Sequence, residues 1–185
     1  MKIDLTMKIT PEMLADAAKL DNPALVGHIG THFDVMDKEF PLEYTDRQGI
    51  VFDVSSVADR DIALADIDMS LVKPHMFVAF CTGFSHEEEY GTTRYFKEHP
   101  QLSVNLIDAL LDAEVSIIGL DFAGVRRGAE HIPTDKRAAD KGVFIVENLV
   151  NLDNLVKAGG IFTAHTYPIN CTGITGLPCR VIGEI

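Results

Sequence analysis

A chain of 185 residues can form one substantial hydrophobic core but leaves no room for a second full domain beside it, so a single domain is expected. Apolar residues make up 46% and charged residues 24%, near the soluble globular average and far from the profile of disordered chains. The 28 acidic and 16 basic side chains, a formal charge of -12, argue against a nucleic-acid or anionic-membrane partner, because both need a basic surface; a small-molecule substrate or a metal cation suits that balance.

Met1-Lys2-Ile3-Asp4 opens a strand-like stretch in place of a signal peptide, and no apolar run approaches the roughly 20 residues of a membrane helix, so the expected compartment is the cytoplasm. The first strand is expected over Lys2–Lys8. Thr10-Pro11-Glu12 then signals a helix start, with Met13, Leu14, Ala17 and Ala18 as the apolar face and Asp21-Asn22-Pro23 as the stop. Strand candidates follow at Ile50–Val54 and Phe77–Phe80. Leu102–Ala113 puts Leu102, Leu106, Ala109 and Leu110 at helical spacing, and the apolar run Val115–Leu120 behind it reads as a buried strand. Pro133–Lys141 repeats the plan and feeds Val143–Val146, and Phe162–Tyr167 and Arg180–Ile185 complete the strands. Helices alternating with strands specify an α/β domain, and two last strands with no helix between them point to a mixed sheet with flanking helices. The three cysteines, Cys81, Cys171 and Cys179, lack Cys-x-x-Cys spacing and are expected to be reduced, serving as buried filler.

Two segments carry residues suited to chemistry. His28-Ile29-Gly30-Thr31-His32-Phe33-Asp34 offers two imidazoles and a carboxylate, ligands that borderline cations such as Zn²⁺ or Mn²⁺ accept, and drawing three from one short segment lowers the entropy of assembling a site. His-x-x-x-His is also the spacing of the helical zinc-protease motif, but Ile29 stands where that motif needs a Glu base, and Gly30 beside β-branched neighbours favours a strand or loop. On a strand, His28, Gly30, His32 and Asp34 would share one face. The same histidines also suit ordinary hydrogen-bonded positions. The second segment ends in Glu147, a carboxylate at the C-terminal edge of an apolar strand, where α/β folds place ligands, or where it could cap a turn or pair with a lysine. With no Trp and only 4 Tyr, Phe33 and other phenylalanines are the main candidates for an aromatic pocket.

These residues resemble the cyclase-like metal hydrolases, the family that includes bacterial kynurenine formamidase and isatin hydrolase. The family's signature His-x-Gly-Thr-His-x-Asp-x-Pro-x-His is matched at every fixed position from His28 to Asp34, and departs at Met36 and Lys38. Further landmarks follow in the family's order: Lys2-Ile3-Asp4-Leu5-Thr6, Cys81-Thr82-Gly83-Phe84, His99-Pro100-Gln101-Leu102-Ser103, Ile117-Ile118-Gly119-Leu120-Asp121, Val146-Glu147-Asn148-Leu149 and Gly176-Leu177-Pro178-Cys179. The resemblance implies a cyclase-like fold, a divalent metal (Zn or Mn) held by His28, His32, Asp34 and Glu147, and a homodimer or homotetramer. A second ion would share Asp34 and Glu147 and take Asp135, where the family has histidine; His131 is the other candidate, and Asp135 after Pro133-Thr134 would equally serve as a helix cap. Lys38 takes the place of the proton-relay histidine. With an ordinary pKa near 10.4 it is a poor base, so the implied roles are an oxyanion or carboxylate contact for Lys38 and the base role for Asp37, or a plain surface position for Lys38. His86 and His165 are possible substitutes. The implied reaction is hydrolysis of a C–N bond in a small amide, formamide or cyclic amide, with a metal- or ligand-binding protein that has lost turnover as the competing reading.

Overall fold

Short apolar runs bounded by turn residues form eight strands in the computed structural model, which describes residues 1–19 and 27–185. The expected helix stop at Asp21-Asn22-Pro23 lies outside the described residues. In chain order the elements are β1 (Lys2–Asp4), α1 (Pro11–Ala17), β2 (His32–Asp34), β3 (Asp46–Asp53), β4 (Phe77–Cys81), α2 (Phe84–Glu87), α3 (Thr93–Lys97), α4 (Val104–Asp112), β5 (Ile117–Leu120), α5 (His131–Asp140), β6 (Phe144–Glu147), α6 (Leu152–Lys157), β7 (Ile161–Pro168) and β8 (Gly176–Glu184). The sheet runs β1-β8-β2-β6-β5-β4-β3-β7, and a further β7–β8 pairing closes it on itself. The pairs β3–β4, β4–β5 and β5–β6 are parallel and the others antiparallel, so the sheet is mixed, as the helix-free link between the last two strands predicts.

Strand alternation sends apolar side chains to both faces, as it must where a parallel sheet is covered on both sides. On one face Val78, Phe80, Ile118, Leu120 and Ile145 meet Leu106, Ile107, Leu110 and Leu111 of α4 and Ala138 of α5. On the other, Phe33, Phe77, Ala79, Ile117, Phe144 and Val146 meet Leu152 and Leu155 of α6. Each fully buried Leu, Ile or Phe stabilises by about 1.5–3 kcal/mol in transfer free energy, which makes these two layers the main support of everything placed on the strand ends.

Several expectations need correction. The first strand stops at Asp4, with only an isolated bridge from Thr6 to Leu149 beyond it. Helix α1 starts where Thr10-Pro11 signals, Met13 N donating to Thr10 Oγ1 at 3.4 Å, but none of its residues is buried and Leu14 is 55% exposed. Phe33 does not line a pocket: it is fully buried and packs against Phe40 in a tilted arrangement, 4.6 Å between ring centres. Cys81 and Cys179 are buried, whereas Cys171 is exposed, and all three are free. No helix among the described residues is long and apolar enough to cross a membrane.

Candidate metal centre

Strand β2 is only three residues long, wedged between β6 and β8, and its alternation sends Phe33 into the core while His32 and Asp34 face the opposite side. His32 lies directly across from Glu147 in the antiparallel register, which sets the two side chains next to one another. His28 arrives differently from the expected strand face. Gly30 adopts φ +61, so the chain turns between His28 and His32 instead of running straight. The His28 ring then lies against Gly176, where a Cβ would stand 2.7 Å from its Cδ2, a contact only glycine permits. His28 Nδ1 is 3.1 Å from His32 Nε2 and 3.2 Å from Asp34 Oδ1, while its Nε2 is held by Thr175 Oγ1 at 2.8 Å.

The opposite wall comes from α5. His131 and Asp135 are four residues apart, on one face of the helix, and Glu130 rather than Asp135 occupies the N-cap position. The helix begins two residues before Pro133, which is tolerated in a first turn, and this brings His131 out of the expected loop. His131 Nε2 lies 3.0 Å from Asp135 Oδ2 and 3.4 Å from Glu147 Oε1, and His32 Nε2 lies 3.6 Å from Glu147 Oε2 and from Asp34 Oδ1. Gly124 makes room for His131 as Gly176 does for His28, since a Cβ there would sit 2.7 Å from His131 Cε1. Two sets of donor atoms, His28/His32/Asp34 and Asp34/His131/Asp135, each fall within 4.8 Å of one another.

Three imidazoles thus face three carboxylates, four of the six side chains being almost wholly buried. Burial opposes charge on His32, but its bond to Asp34 and the fields of Asp34 and Glu147 outweigh that and hold its pKa up at about 9. Burial likewise opposes charge on His131, yet Asp135 and Glu147 raise it to about 11. Asp34 is held far below the carboxylate range despite burial, by His28 and His32. Glu147 is pushed up to about 8 by burial and by the negative charge of Asp34. Burial first, and then the charge of Asp34, also raise Asp135, against the bond from His131.

Asp34 Oδ2, Asp135 Oδ1 and Glu147 Oε1 are buried without a hydrogen bond; the last is within ion-pair range of His131 but is not aligned with it. Orphaned buried carboxylate oxygens are costly, and the three here belong to carboxylates that also contact the imidazoles, a mixed set of N and O donors that fits a divalent cation. The residues present therefore suit a divalent cation.

The other sequence candidates lie elsewhere. Met36 has φ +56, a value closed to the proline of the family signature, and the chain after Asp34 turns accordingly. Lys38 Nζ ends 2.8 Å from Asp140 Oδ1 and 3.4 Å from Asp37 Oδ1, in a surface charge cluster that Lys136 joins. The Asp140 bond raises the Lys38 pKa further, and although burial opposes charge on Asp37, Lys136 and Lys38 together lower it. His86 pairs with Asp153, and His165 bridges Asp46 and Glu184. Tyr90 and Asn148, which sequence reading passed over, both bind Gly30: its N–H donates to Tyr90 Oη at 3.0 Å, and its carbonyl accepts from Asn148 Nδ2 at 2.9 Å. For Asn148 a signal existed, since an Asn directly after a strand is one of the few residues that enter a left-handed turn readily.

Residues 3–126 match the family model named Cyclase and described as "Putative cyclase". None of the curated proteins matches the chain. Among solved structures the chain is similar to one titled "The Structure Of Potential Metal-Dependent Hydrolase With Cyclase Activity", with 24% identity, 99% of this chain and 96% of that one covered, and a TM-score of 0.77. A structure titled "The structure of predicted metal-dependent hydrolase from Bacillus stearothermophilus" is similar at 23% identity, with 99% and 97% covered and a TM-score of 0.75. Isatin hydrolase A from Labrenzia aggregata, bound to benzyl benzoate, is similar at 18% identity, with 99% and 93% covered and a TM-score of 0.78. At these identities the likeness establishes a shared fold.

Proposed function

This chain belongs to the Cyclase family, and on that premise we propose that it is a metal-dependent hydrolase acting on a C–N bond of a small amide, formamide or cyclic amide. The observation that carries the reading is the approach of two donor sets, His28/His32/Asp34 and Asp34/His131/Asp135, that share Asp34, with buried unpaired oxygens left on Asp34, Asp135 and Glu147. In this reading His28, His32, Asp34 and Glu147 hold a first divalent ion, Zn²⁺ or Mn²⁺. Asp34 and Glu147 are shared with a second position completed by His131 and Asp135. When bound, such an ion supplies Lewis-acid chemistry to a water and a substrate carbonyl.

The chain's own groups do the rest. Thr175 fixes His28 through Nε2 and leaves Nδ1 facing inward. Lys38 remains the candidate for contacting an oxyanion or a substrate carboxylate, a role that requires it to exchange Asp140 for the substrate, and Asp37 remains the candidate base. A cytoplasmic homodimer or homotetramer goes with this reading, and exposed Leu42, Ile132, Ile161 and Tyr167 offer apolar surface for such an assembly to cover.

Isothermal titration with Zn²⁺ and Mn²⁺ on the wild type and on His32→Ala tests the ligand set, and equal binding by the two proteins would sink it. The ion pair of Lys38 with Asp140 favours a second reading, a family member that binds metal or ligand without turnover. Metal-dependent turnover of any one of an N-formyl aromatic amine, isatin or a simple amide excludes that second reading.

A further inference from the structure

We propose that Asn148 is a positioning residue of the metal centre, holding the turn that carries His28 and His32 and fixing which nitrogen of His32 faces the ion. The inference rests on the metal reading above, and follows from one atom, the carbonyl oxygen of Gly30. That oxygen lies 2.9 Å from His32 Nδ1 and 2.9 Å from Asn148 Nδ2. A carbonyl can only accept, so both nitrogens must donate to it. The Asn148 amide therefore has a single orientation, and His32 carries a proton on Nδ1 and turns Nε2 toward Asp34 and Glu147.

The rest of the network leaves the amide no freedom. Asn148 is 1% exposed and sits at φ +58, directly after the ligand Glu147. Its Oδ1 accepts from the hydroxyl of fully buried Tyr95 at 2.9 Å. Its backbone carbonyl accepts from Thr31 Oγ1 at 2.7 Å, and its N–H donates to the Phe122 carbonyl at 3.2 Å. Two consecutive residues of the turn, Gly30 and Thr31, are thus bonded to the single residue that follows Glu147. Metal-bound histidines generally donate their second N–H to a fixed acceptor that orients the ring; here that acceptor is a turn carbonyl which Asn148 in turn holds still.

The test uses two variants and Zn²⁺ as the probe. Asn148→Gly deletes the amide while keeping a residue that takes φ +58 without strain. Tyr95→Phe leaves the amide but unpairs its oxygen. Zn²⁺ affinity is measured by chelator competition, and solvent exchange of the His32 Nδ1 proton by NMR of the ¹⁵N-histidine-labelled, Zn²⁺-loaded protein. Asn148→Gly is expected to bind Zn²⁺ about 10- to 100-fold more weakly and to exchange that proton at least about tenfold faster, with a loss of about threefold to tenfold in Tyr95→Phe. A merely structural role would lower stability and leave both readouts unmoved, so wild-type values in Asn148→Gly overturn the inference. Should that variant not fold, Tyr95→Phe decides alone, and its binding Zn²⁺ as the wild type does overturns the inference. A wild type that takes no Zn²⁺ overturns the metal reading and this inference together, whereas binding indifferent to both variants overturns the inference only.

Discussion

Loading the centre with Zn²⁺ should expel protons, and their number can be worked out from the site. Without metal, His32 is held up at about 9 by Asp34 and Glu147 against burial, and His131 at about 11 by Asp135 and Glu147 against burial. Both imidazoles are therefore cations at neutral pH, and a ring nitrogen must lose its proton to become a ligand. Two protons leave, and Glu147, pushed up to about 8, contributes most of a third. The sign follows from linkage: a raised pKa means the proton competes with the ion up to that pH, so affinity climbs as pH rises. Each proton released is worth about tenfold in affinity per pH unit, so filling both positions predicts a slope approaching about 1,000-fold per unit below about pH 8, where Glu147 still holds its proton, and about 100-fold per unit from there to about pH 9. The dependence becomes shallower above about pH 9, where His32 has already lost its proton. Calorimetric titration in buffers of different ionisation enthalpy reads the proton count directly. A count near zero, with an affinity flat across that range, would refute the reasoning.

Three other outcomes follow from the same structure. Lys38→Ala should change turnover of an accepted substrate by no more than about threefold, because the lysine spends its charge on Asp140; steady-state kinetics showing a loss beyond about thirtyfold would put Lys38 in the chemistry. Gly176→Ala should cost about 1–3 kcal/mol in urea unfolding and weaken Zn²⁺ binding, since the new methyl must displace the His28 ring. His99, whose pKa burial drives down to about 4 with help from Arg127 and His131, binds its proton more readily in the unfolded chain, so it contributes up to about 3 kcal/mol of stability that is gained as pH rises from about 4 to 6.5. Urea titrations at the two ends of that window should show the wild type gaining stability relative to His99→Gln as pH rises, and a constant difference between the two proteins would contradict the assignment.

What the sequence makes legible is what local periodicity encodes. Helix α4 is readable because Leu106 and Leu110 recur at helical spacing after Ser103, whose Oγ accepts from Leu106 N. The parallel strands are readable because they are apolar on both faces. Strand β2 is not legible as a strand of its own. It has three residues, and its pairing depends on β6 and β8, more than a hundred residues away in the chain. The spacing of Met13, Leu14, Ala17 and Ala18 specifies an apolar face for α1, but periodicity cannot say whether a face has a partner, and Leu14 stays largely exposed. At the site, the family position before Glu147 falls on Asp135, and sequence reading offers His131, four residues earlier, as the other candidate. Only the helix start at His131 reveals that a histidine one turn earlier shares its face, and helix boundaries are the feature that pattern reading resolves least well. The direction of Lys38 was equally hidden, because it depends on the left-handed turn at Met36 and on Asp140 waiting on α5.

The central claim, that His28, His32, Asp34 and Glu147 hold a divalent cation, is tested most directly by anomalous scattering from crystals grown with Zn²⁺ or Mn²⁺. The account predicts an anomalous peak enclosed by those four side chains, with any second peak lying between Asp34, His131 and Asp135. Full-occupancy density for all six side chains with no peak among them, or a peak only elsewhere on the molecule, would contradict it.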